Sequence, residues 1–348
     1  IAKVAIGNYR GAIADFSQAI QLDDTYLSAY YNRGIALSSI AKYDEAVGDF
    51  NYLIKDNPNN ITAYSNRGMA MLALGDYPSA IGDFDQVIAL DKRNKAAYSN
   101  RGVAKFNLKD YQGAMNDLDN AIAIDPEYAV AYNYRGQVKV VNKKYLSAIS
   151  DFSKATKIEP RFMKAYYNRA DARRKVGDYE GAISDYNRTI ALDPSFVEAF
   201  ANRGVAQVIL GNYVDALNDF DKVLQINTEH KIAYYHRALI KDSFGEHKSA
   251  IIDLNKAIEL DTYYTEAYTA RADAKINLKD YENAMNDYDK VLLIDNNNAE
   301  AYAKRADLKY ELGNVNGACI DWQIAKQMGF IKADKNYKNY CTELKAND

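Results

Sequence analysis

The chain has 348 residues and a formal net charge of −3, with charges of both signs mixed along its length, so the basic surface of a nucleic-acid-binding protein is not expected. Hydrophobic residues make up 48% of the sequence, and this content excludes a disordered chain. No apolar run approaches the roughly 18 residues of a transmembrane helix, so no membrane span is expected.

An arginine recurs at a strict interval of 34 residues. Each one belongs to a similar hexad, written AYYNRG at Ala29–Gly34 and AYAKRA at Ala301–Ala306. A period of this length indicates stacked supersecondary units, each of which contacts its neighbours. The arginines are Arg33, Arg67, Arg101, Arg135, Arg169, Arg203, Arg237, Arg271 and Arg305.

The phase of the repeat divides the chain into three parts. Residues 1–26 are predicted to form the second helix of a partial repeat, residues 27–332 nine full repeats, and residues 333–348 a capping helix. In this alignment Ile1 falls inside a first helix. The chain is therefore expected to begin within a longer repeat, and a leader or an anchor upstream stays open.

The first full repeat shows the local pattern. Leu27, Tyr30, Gly34 and Leu37 recur at three- and four-residue steps, which predicts one face of a helix. A turn follows at residues 41–42, where later repeats place glycine, a residue that ends helices in the left-handed conformation. A second amphipathic helix then runs to residue 54, and a stop signal follows at residues 56–58.

Small and aromatic residues occupy further columns of the repeat. Alanine recurs at the position of Ala46, glycine at that of Gly34, and a large ring at that of Phe50. We interpret these columns as core, where two helices approach closely and a ring fills the space beside them.

These residues resemble the tetratricopeptide repeat (TPR), a 34-residue helix–turn–helix unit. The resemblance covers residues 1 to about 330, and arginine replaces the leucine that usually follows the first aromatic residue. It implies an all-α fold, a right-handed α–α superhelical solenoid of about nine units with a half repeat before them and a capping helix after them.

The regular spacing of the arginines suggests a ladder of ion pairs, because aspartate also recurs every 34 residues. The favoured hypothesis pairs each arginine with the aspartate of the preceding second helix, as in Asp15–Arg33 and Asp49–Arg67. Pairing within a repeat is the alternative. In both cases the guanidinium forms two parallel hydrogen bonds to a carboxylate and fixes the register of the stack.

The resemblance implies a concave surface lined by the first helices, on which partners bind. A row of asparagines along it is suited to gripping a peptide backbone, although solvated asparagines are the alternative. Lys and Arg are not placed as in TPR domains that clamp a carboxyl terminus. The candidate partner-binding residues are Tyr31, Asn32, Ile35, Asn66, Met69, Leu72, Asn100, Val103, Phe106, Asn168, Arg174 and Asn202.

The inward positions change character along the chain. They are neutral and apolar in the first repeats, mixed around Arg174, and acidic at Asp242, Glu266, Asp273 and Asp307. An acidic end favours a partner with a basic segment. Burial of the apolar positions against neighbouring repeats is the alternative to an exposed groove.

Cys319 and Cys341 are the only cysteines. They stand about equally far from a turn near Gly329 and Phe330, so antiparallel helices would bring them to one level. A disulfide requires Cα atoms within about 7 Å and indicates an oxidising compartment such as a bacterial periplasm or cell envelope. Two buried thiols that do not form a bond are the alternative, and they are consistent with a cytoplasmic location.

The leading functional hypothesis is a non-enzymatic scaffold that binds a protein or an extended peptide, without a cofactor, a metal or nucleic acid. The alternative is a regulatory or docking arm of a larger enzyme or of an envelope or secretion complex. A nucleic-acid-binding helical repeat is disfavoured because it needs 35-residue units and a basic groove. Three histidines without a supporting constellation of side chains argue against catalysis.

Overall fold

The computed structural model describes residue 3 and residues 6–341, and that part of the chain holds 20 helices and no strands. The helices are α1 Tyr9–Leu22, α2 Leu27–Ser39, α3 Tyr43–Asp56, α4 Ile61–Leu74, α5 Tyr77–Leu90, α6 Lys95–Asn107, α7 Tyr111–Ile124, α8 Ala129–Val141, α9 Tyr145–Ile158, α10 Met163–Lys175, α11 Tyr179–Leu192, α12 Val197–Ile209, α13 Tyr213–Ile226, α14 Lys231–Ser243, α15 His247–Leu260, α16 Thr265–Asn277, α17 Tyr281–Ile294, α18 Ala299–Glu311, α19 Val315–Gln327 and α20 Ile331–Tyr340.

Two compact units divide the chain, residues 1–188 and residues 189–348. The division falls within α11. Inside each unit the even-numbered helices from α2 to α18 are first helices, and the odd-numbered helices are second helices. Each first helix packs on the second helix of its own repeat, as α2 does on α3 and α14 on α15. The predicted all-α solenoid of helical hairpins is therefore present in both units.

Two kinds of turn connect the helices. The turn after each first helix contains a left-handed residue in the same column, glycine at Gly75, Gly177, Gly211, Gly245 and Gly313, and Ala41, Lys109, Lys143 or Lys279 elsewhere. The exit from a second helix uses an aspartate or asparagine whose side chain accepts from the backbone two residues later, as Asp91 does from Arg93. Both turns satisfy backbone groups that the helix ends leave unpaired.

The core of most repeats is a ring packed against a small residue, and Leu118 and Leu254 take the place of the ring in two of them. A Cβ atom added at Gly34 would lie 2.8 Å from the Phe50 ring, and one added at Gly136 would lie 2.5 Å from Phe152. These columns therefore act as core, because only glycine lets the ring approach the first helix so closely.

The capping helix α20 begins at Ile331, two residues before the predicted start at Ala333. Its described part ends at Tyr340, and Leu344, which the sequence assigns to its apolar stripe, lies outside the described residues, as does Ile1. Ala333 is buried and Tyr337 packs on the same cluster as Trp322. Cys319 and Cys341 form a disulfide with Cα atoms 5.7 Å apart, and this bond ties α20 to α19.

Candidate functional site

First helices of successive repeats contact one another in the first unit. Helix α2 contacts α4, α4 contacts α6, α6 contacts α8, and α8 contacts α10. The side chains that these helices turn away from the second helices therefore share one surface. We call it the first-helix surface of the first unit.

A cavity of about 360 Å³ opens on this surface between α2 and α4. Ile35, Asn66 and Met69 line it, and Met69 keeps 48% of its side-chain exposure. The exposed methionine lies beside small serine and alanine side chains. Its flexible thioether adapts to apolar groups of varied shape. Three of the predicted residues thus meet in one place. Its other lining residues are Ser38, Ser39, Tyr43, Ala70 and Ala73.

A second cavity, of about 290 Å³, lies farther along the same unit. It brings together Phe106, Asn168 and Arg174, which the sequence analysis also singled out. Its other lining residues are Gln137, Val140, Val141, Phe152, Asp171 and Lys175. Apolar walls with a few polar groups are typical of binding sites for side chains.

Other candidate residues are less available. Val103 retains only 8% exposure, and Tyr31 and Leu72 pack against core clusters. Asn202 belongs to the second unit, whereas the other candidates belong to the first. Neighbouring helices therefore bury Val103, whereas they leave Met69 exposed.

The asparagine row is partly occupied by internal hydrogen bonds. The amides of Asn32 and Asn66 donate to the carbonyl oxygens of Ser28 and Thr62, one turn earlier in the same helix. Asn168 donates to Asn133 at 2.9 Å. The side-chain oxygens of Asn32 and Asn66 take no part in these bonds, so they are suited to accept from a peptide N–H.

The favoured register of the Arg–Asp ladder is wrong, and pairing within the repeat is correct. Arg33 binds Asp49 through Nε and Nη2 at 2.9 and 2.7 Å, and Arg67 binds Asp83 in the same way. Sixteen residues bring the two side chains to the same level of the hairpin. Asp15, the expected partner of Arg33, instead pairs with Lys3.

The same arginines also reach the preceding repeat. Arg67 Nη1 donates to Asn51, and Arg135 Nη1 donates to Asp119 at 2.7 Å. Each of these partners lies two residues after the aspartate of the preceding second helix. The guanidinium carbon also lies over the aromatic residue three positions earlier, 5.5 Å from the Tyr30 ring for Arg33. One guanidinium therefore connects two successive repeats. We interpret these arginines as structural residues rather than as ligand-binding residues.

A second cation reaches the buried aspartate in most of these repeats. Lys105 lies 2.8 Å from Asp117, and Lys139 lies 2.6 Å from Asp151. Leu37 and Met71 occupy this column in the first two full repeats. The carboxylates thus differ in how many cations compensate them.

A third pairing was not predicted from the sequence. Tyr186 donates to Asp171 at 2.5 Å, Tyr288 donates to Asp273 at 2.6 Å, and Trp322 Nε1 donates to Asp307 at 2.9 Å. These inward aspartates occur where the core ring carries an N–H or O–H and where the glycine column holds alanine. Burial and the neighbouring carboxylates raise the pKa of Tyr186 and Tyr288. Covariation between the two columns is visible in the sequence and could have shown these pairs.

The second unit carries the acidic inward positions. A cavity of about 460 Å³ is lined by Asp242, Glu266, Asp273 and Glu300, with Tyr235 and Lys304 beside them. Part of the negative charge is compensated inside the protein. Lys304 lies 2.6 Å from Asp273, and His247 Nδ1 lies at hydrogen-bond distance, 2.7 Å, from Asp242.

The asparagine column ends at His236 in this unit. Its ring stacks on Phe220 with centroids 5.6 Å apart. Burial lowers the pKa of His236, so the neutral imidazole is favoured. This histidine is a packing residue rather than a member of a catalytic group.

Within the described residues, no cluster of histidine, cysteine and carboxylate side chains is arranged to hold a metal ion. No helix in that part of the chain combines the length and apolar character that a membrane crossing requires.

Comparisons with known proteins place these features in a family. Models described as TPR repeat match residues 2–39 and 170–211, and models described as tetratricopeptide repeat match residues 36–92, 65–129, 232–264 and 265–298. Together these matches cover more than half of the chain. No curated protein matches it.

Solved structures show the same fold. A tetratricopeptide repeat protein from Parabacteroides merdae is 23% identical, with a TM-score of 0.54, over 70% of this chain and 97% of that one. The Cut9–Hcn1 hetero-tetramer structure of the APC/C is 14% identical, with a TM-score of 0.55, over 97% and 82%. YrrB is 23% identical, with a TM-score of 0.50, over 54% and 97%.

The repeat period, the helical hairpins of both units and the family matches agree. TPR folds generally serve as non-catalytic scaffolds for protein interactions. The chain belongs to the tetratricopeptide repeat family.

Proposed function

We propose that the chain binds an extended peptide segment of a partner protein on the first-helix surface of its first unit, and that binding rather than catalysis is its role. The observation that carries the proposal is the cavity between α2 and α4, where Met69 remains half exposed beside Ile35 and Asn66. An apolar side chain of the partner fits this cavity, and the oxygen of Asn66 is placed to accept from its backbone.

YrrB is described as a TPR protein with an unusual peptide-binding site. Its fold is similar to that of this chain, and peptide binding in that fold is in keeping with the proposal.

A random 20-residue peptide display library tests the proposal. We expect the full chain to enrich a set of peptides whose affinity falls about tenfold in a Met69→Ser/Val141→Ser variant. This loss corresponds to the removal of roughly 1.4 kcal/mol of apolar contact. Leu90→Ser/Leu146→Ser is the matched control, because both leucines are exposed on second helices of the same unit and Leu146 keeps 74% of its exposure.

Fluorescence anisotropy with the synthetic peptides gives the dissociation constants, and circular dichroism checks that the variants keep their helicity. Enrichment of no peptide, or equal weakening by both double variants, would show that this surface is not the binding site.

For the second unit we propose a partner segment with basic side chains. The exposed carboxylates of Glu266 and Glu300 line its acidic cavity, and a basic segment complements them. Binding of an oligolysine probe should weaken in Glu266→Gln/Glu300→Gln and with added salt. Salt-independent binding, unchanged in the variant, would argue against this assignment.

A further inference from the structure

Arg174 is a cation in a column that is otherwise neutral in the first unit. The equivalent residues of the other full repeats there are Ser38, Leu72, Phe106 and Val140. Arg174 thus brings a positive charge to a cavity that also holds the apolar residues Phe106, Val140 and Val141. Lys175 lines the same cavity and adds a second charge.

The hydrogen bonds of Arg173 and Arg174 differ. Arg173 serves the fold, since its Nη1 donates to Asp185 at 2.8 Å and to the carbonyl of Gly181 at 3.0 Å. Arg174 forms a long ion pair with Asp171, with Nη2 3.8 Å from the carboxylate, and the same carboxylate accepts from Tyr186. Arg174 Nε is buried and has no hydrogen-bond partner among the described residues.

A buried donor without an acceptor costs free energy that a bound acceptor recovers. Arg174 lines this cavity together with the apolar residues Phe106, Val140, Val141 and Phe152 and the polar or charged residues Gln137, Asn168, Asp171 and Lys175. The cavity volume of about 290 Å³ is the volume that roughly ten water molecules occupy in the liquid. It has room for one apolar side chain and one carboxylate.

We propose that this cavity recognises an extended partner segment in which an apolar residue is followed two positions later by aspartate or glutamate. Side chains at i and i+2 of an extended chain point to the same side, about 6–7 Å apart. The apolar side chain packs between Phe106 and Val140, and the carboxylate accepts from Arg174. Asp171 repels a phosphate dianion more strongly than a carboxylate monoanion, so the carboxylate is the favoured ligand.

This inference rests on the proposed peptide-binding function and names the sequence that the surface prefers. The probe is the set of library peptides enriched by the full chain. Arg174→Gln removes the cation, Arg174→Lys keeps the charge without the planar fork, and Arg161→Gln is the control because Arg161 is an exposed arginine of the same unit.

We expect the wild-type chain and Arg161→Gln to enrich peptides with the apolar–x–acid pattern, and Arg174→Gln to lose the preference for the acid. For one synthetic peptide, changing its glutamate to glutamine should weaken binding about tenfold to wild type and less than twofold to Arg174→Gln. Arg174→Lys should retain a reduced preference for the acidic peptide.

Enriched peptides without an acidic preference, or an equal loss on both proteins, would overturn the role of Arg174. Peptide binding that still depends on Met69 and Val141 would leave the proposed function standing. If the wild-type chain enriches no peptide, both proposals fall.

Discussion

At the scale of single residues, each repeat arginine binds one buried carboxylate in its own repeat, and arginines such as Arg67 and Arg135 also bind a polar group in the repeat before. Periodicity could not predict which carboxylate is the partner. A 34-residue period places an aspartate both 18 residues before Arg33 and 16 residues after it. The choice depends on the level at which the helices of one hairpin face each other, and this is set by the three-residue turn at residues 40–42.

The number of cations around each aspartate leads to a prediction. Asp83 relies on Arg67, because Met71 occupies the column of the second cation, whereas Asp117 has both Arg101 and Lys105. Arg67→Ala should lower the free energy of unfolding by about 3 kcal/mol, since it leaves a buried charge uncompensated. Arg101→Ala should cost roughly 1 kcal/mol less, because Lys105 stays in place.

Amide hydrogen exchange in α5 and α7, together with urea unfolding, measures these two losses. Arg93→Ala, at an exposed arginine of a loop, should leave both readouts unchanged. A loss at Arg101 equal to that at Arg67 would show that Lys105 does not compensate Asp117.

At the scale of the helices, most boundaries follow from the sequence. Gly75 and Gly177 predict the left-handed helix ends that the structure contains, and the repeat phase extends the same geometry to Lys143, where no glycine signals it. Helix α20 begins two residues before the repeat phase predicts, because α19 and the link after it are each one residue shorter than in the other repeats. Single residues of a periodic pattern do not reveal such a change in loop length.

Two glycines in helices of the first unit should respond oppositely to alanine. A Cβ atom at Gly136 meets the Phe152 ring, so Gly136→Ala should lower the free energy of unfolding by about 1–3 kcal/mol through overpacking. A Cβ atom at Gly82 meets nothing within 4 Å, so Gly82→Ala should raise it by about 0.5–1 kcal/mol through helix propensity.

Thermal and urea unfolding followed by circular dichroism compare the two variants directly. Destabilisation by Gly82→Ala would contradict the open space beside α5, and an unchanged Gly136→Ala protein would contradict the packing described for α8 and α9.

At the scale of the whole chain, each repeat depends mainly on its neighbours, so the ends of the stack need special cover. Helix α20 covers the last repeat, and Tyr340 lies 5.8 Å from the ring of Trp322, measured between centroids. The sequence predicted this cap and left the state of the two cysteines open. Their proximity was expected from their equal distance to the turn, and the placed helices show the disulfide itself.

The single tryptophan of the chain reports on this cap. Trp322 is 1% exposed, so reduction of the disulfide or a Cys341→Ser change should loosen α20 and shift its fluorescence to longer wavelength. Closing a loop of 22 residues stabilises a protein by about 3 kcal/mol in the chain-entropy model.

Iodide quenching of Trp322 with and without dithiothreitol measures the effect, and the Cys341→Ser protein should not respond to the reductant. An identical spectrum in both redox states would mean that packing alone holds α20.

The contacts of the repeat arginines make the seams between repeats interchangeable. If residues 61–94 were excised and Asn60 joined to Lys95, Arg101 would meet Asn51 in place of Asp85. Arg67 already forms that pair with Asn51. The new junction would therefore reuse a pair of side chains that the protein already contains. The first-helix surface could then be shortened or lengthened by whole repeats without any new type of contact at the junction.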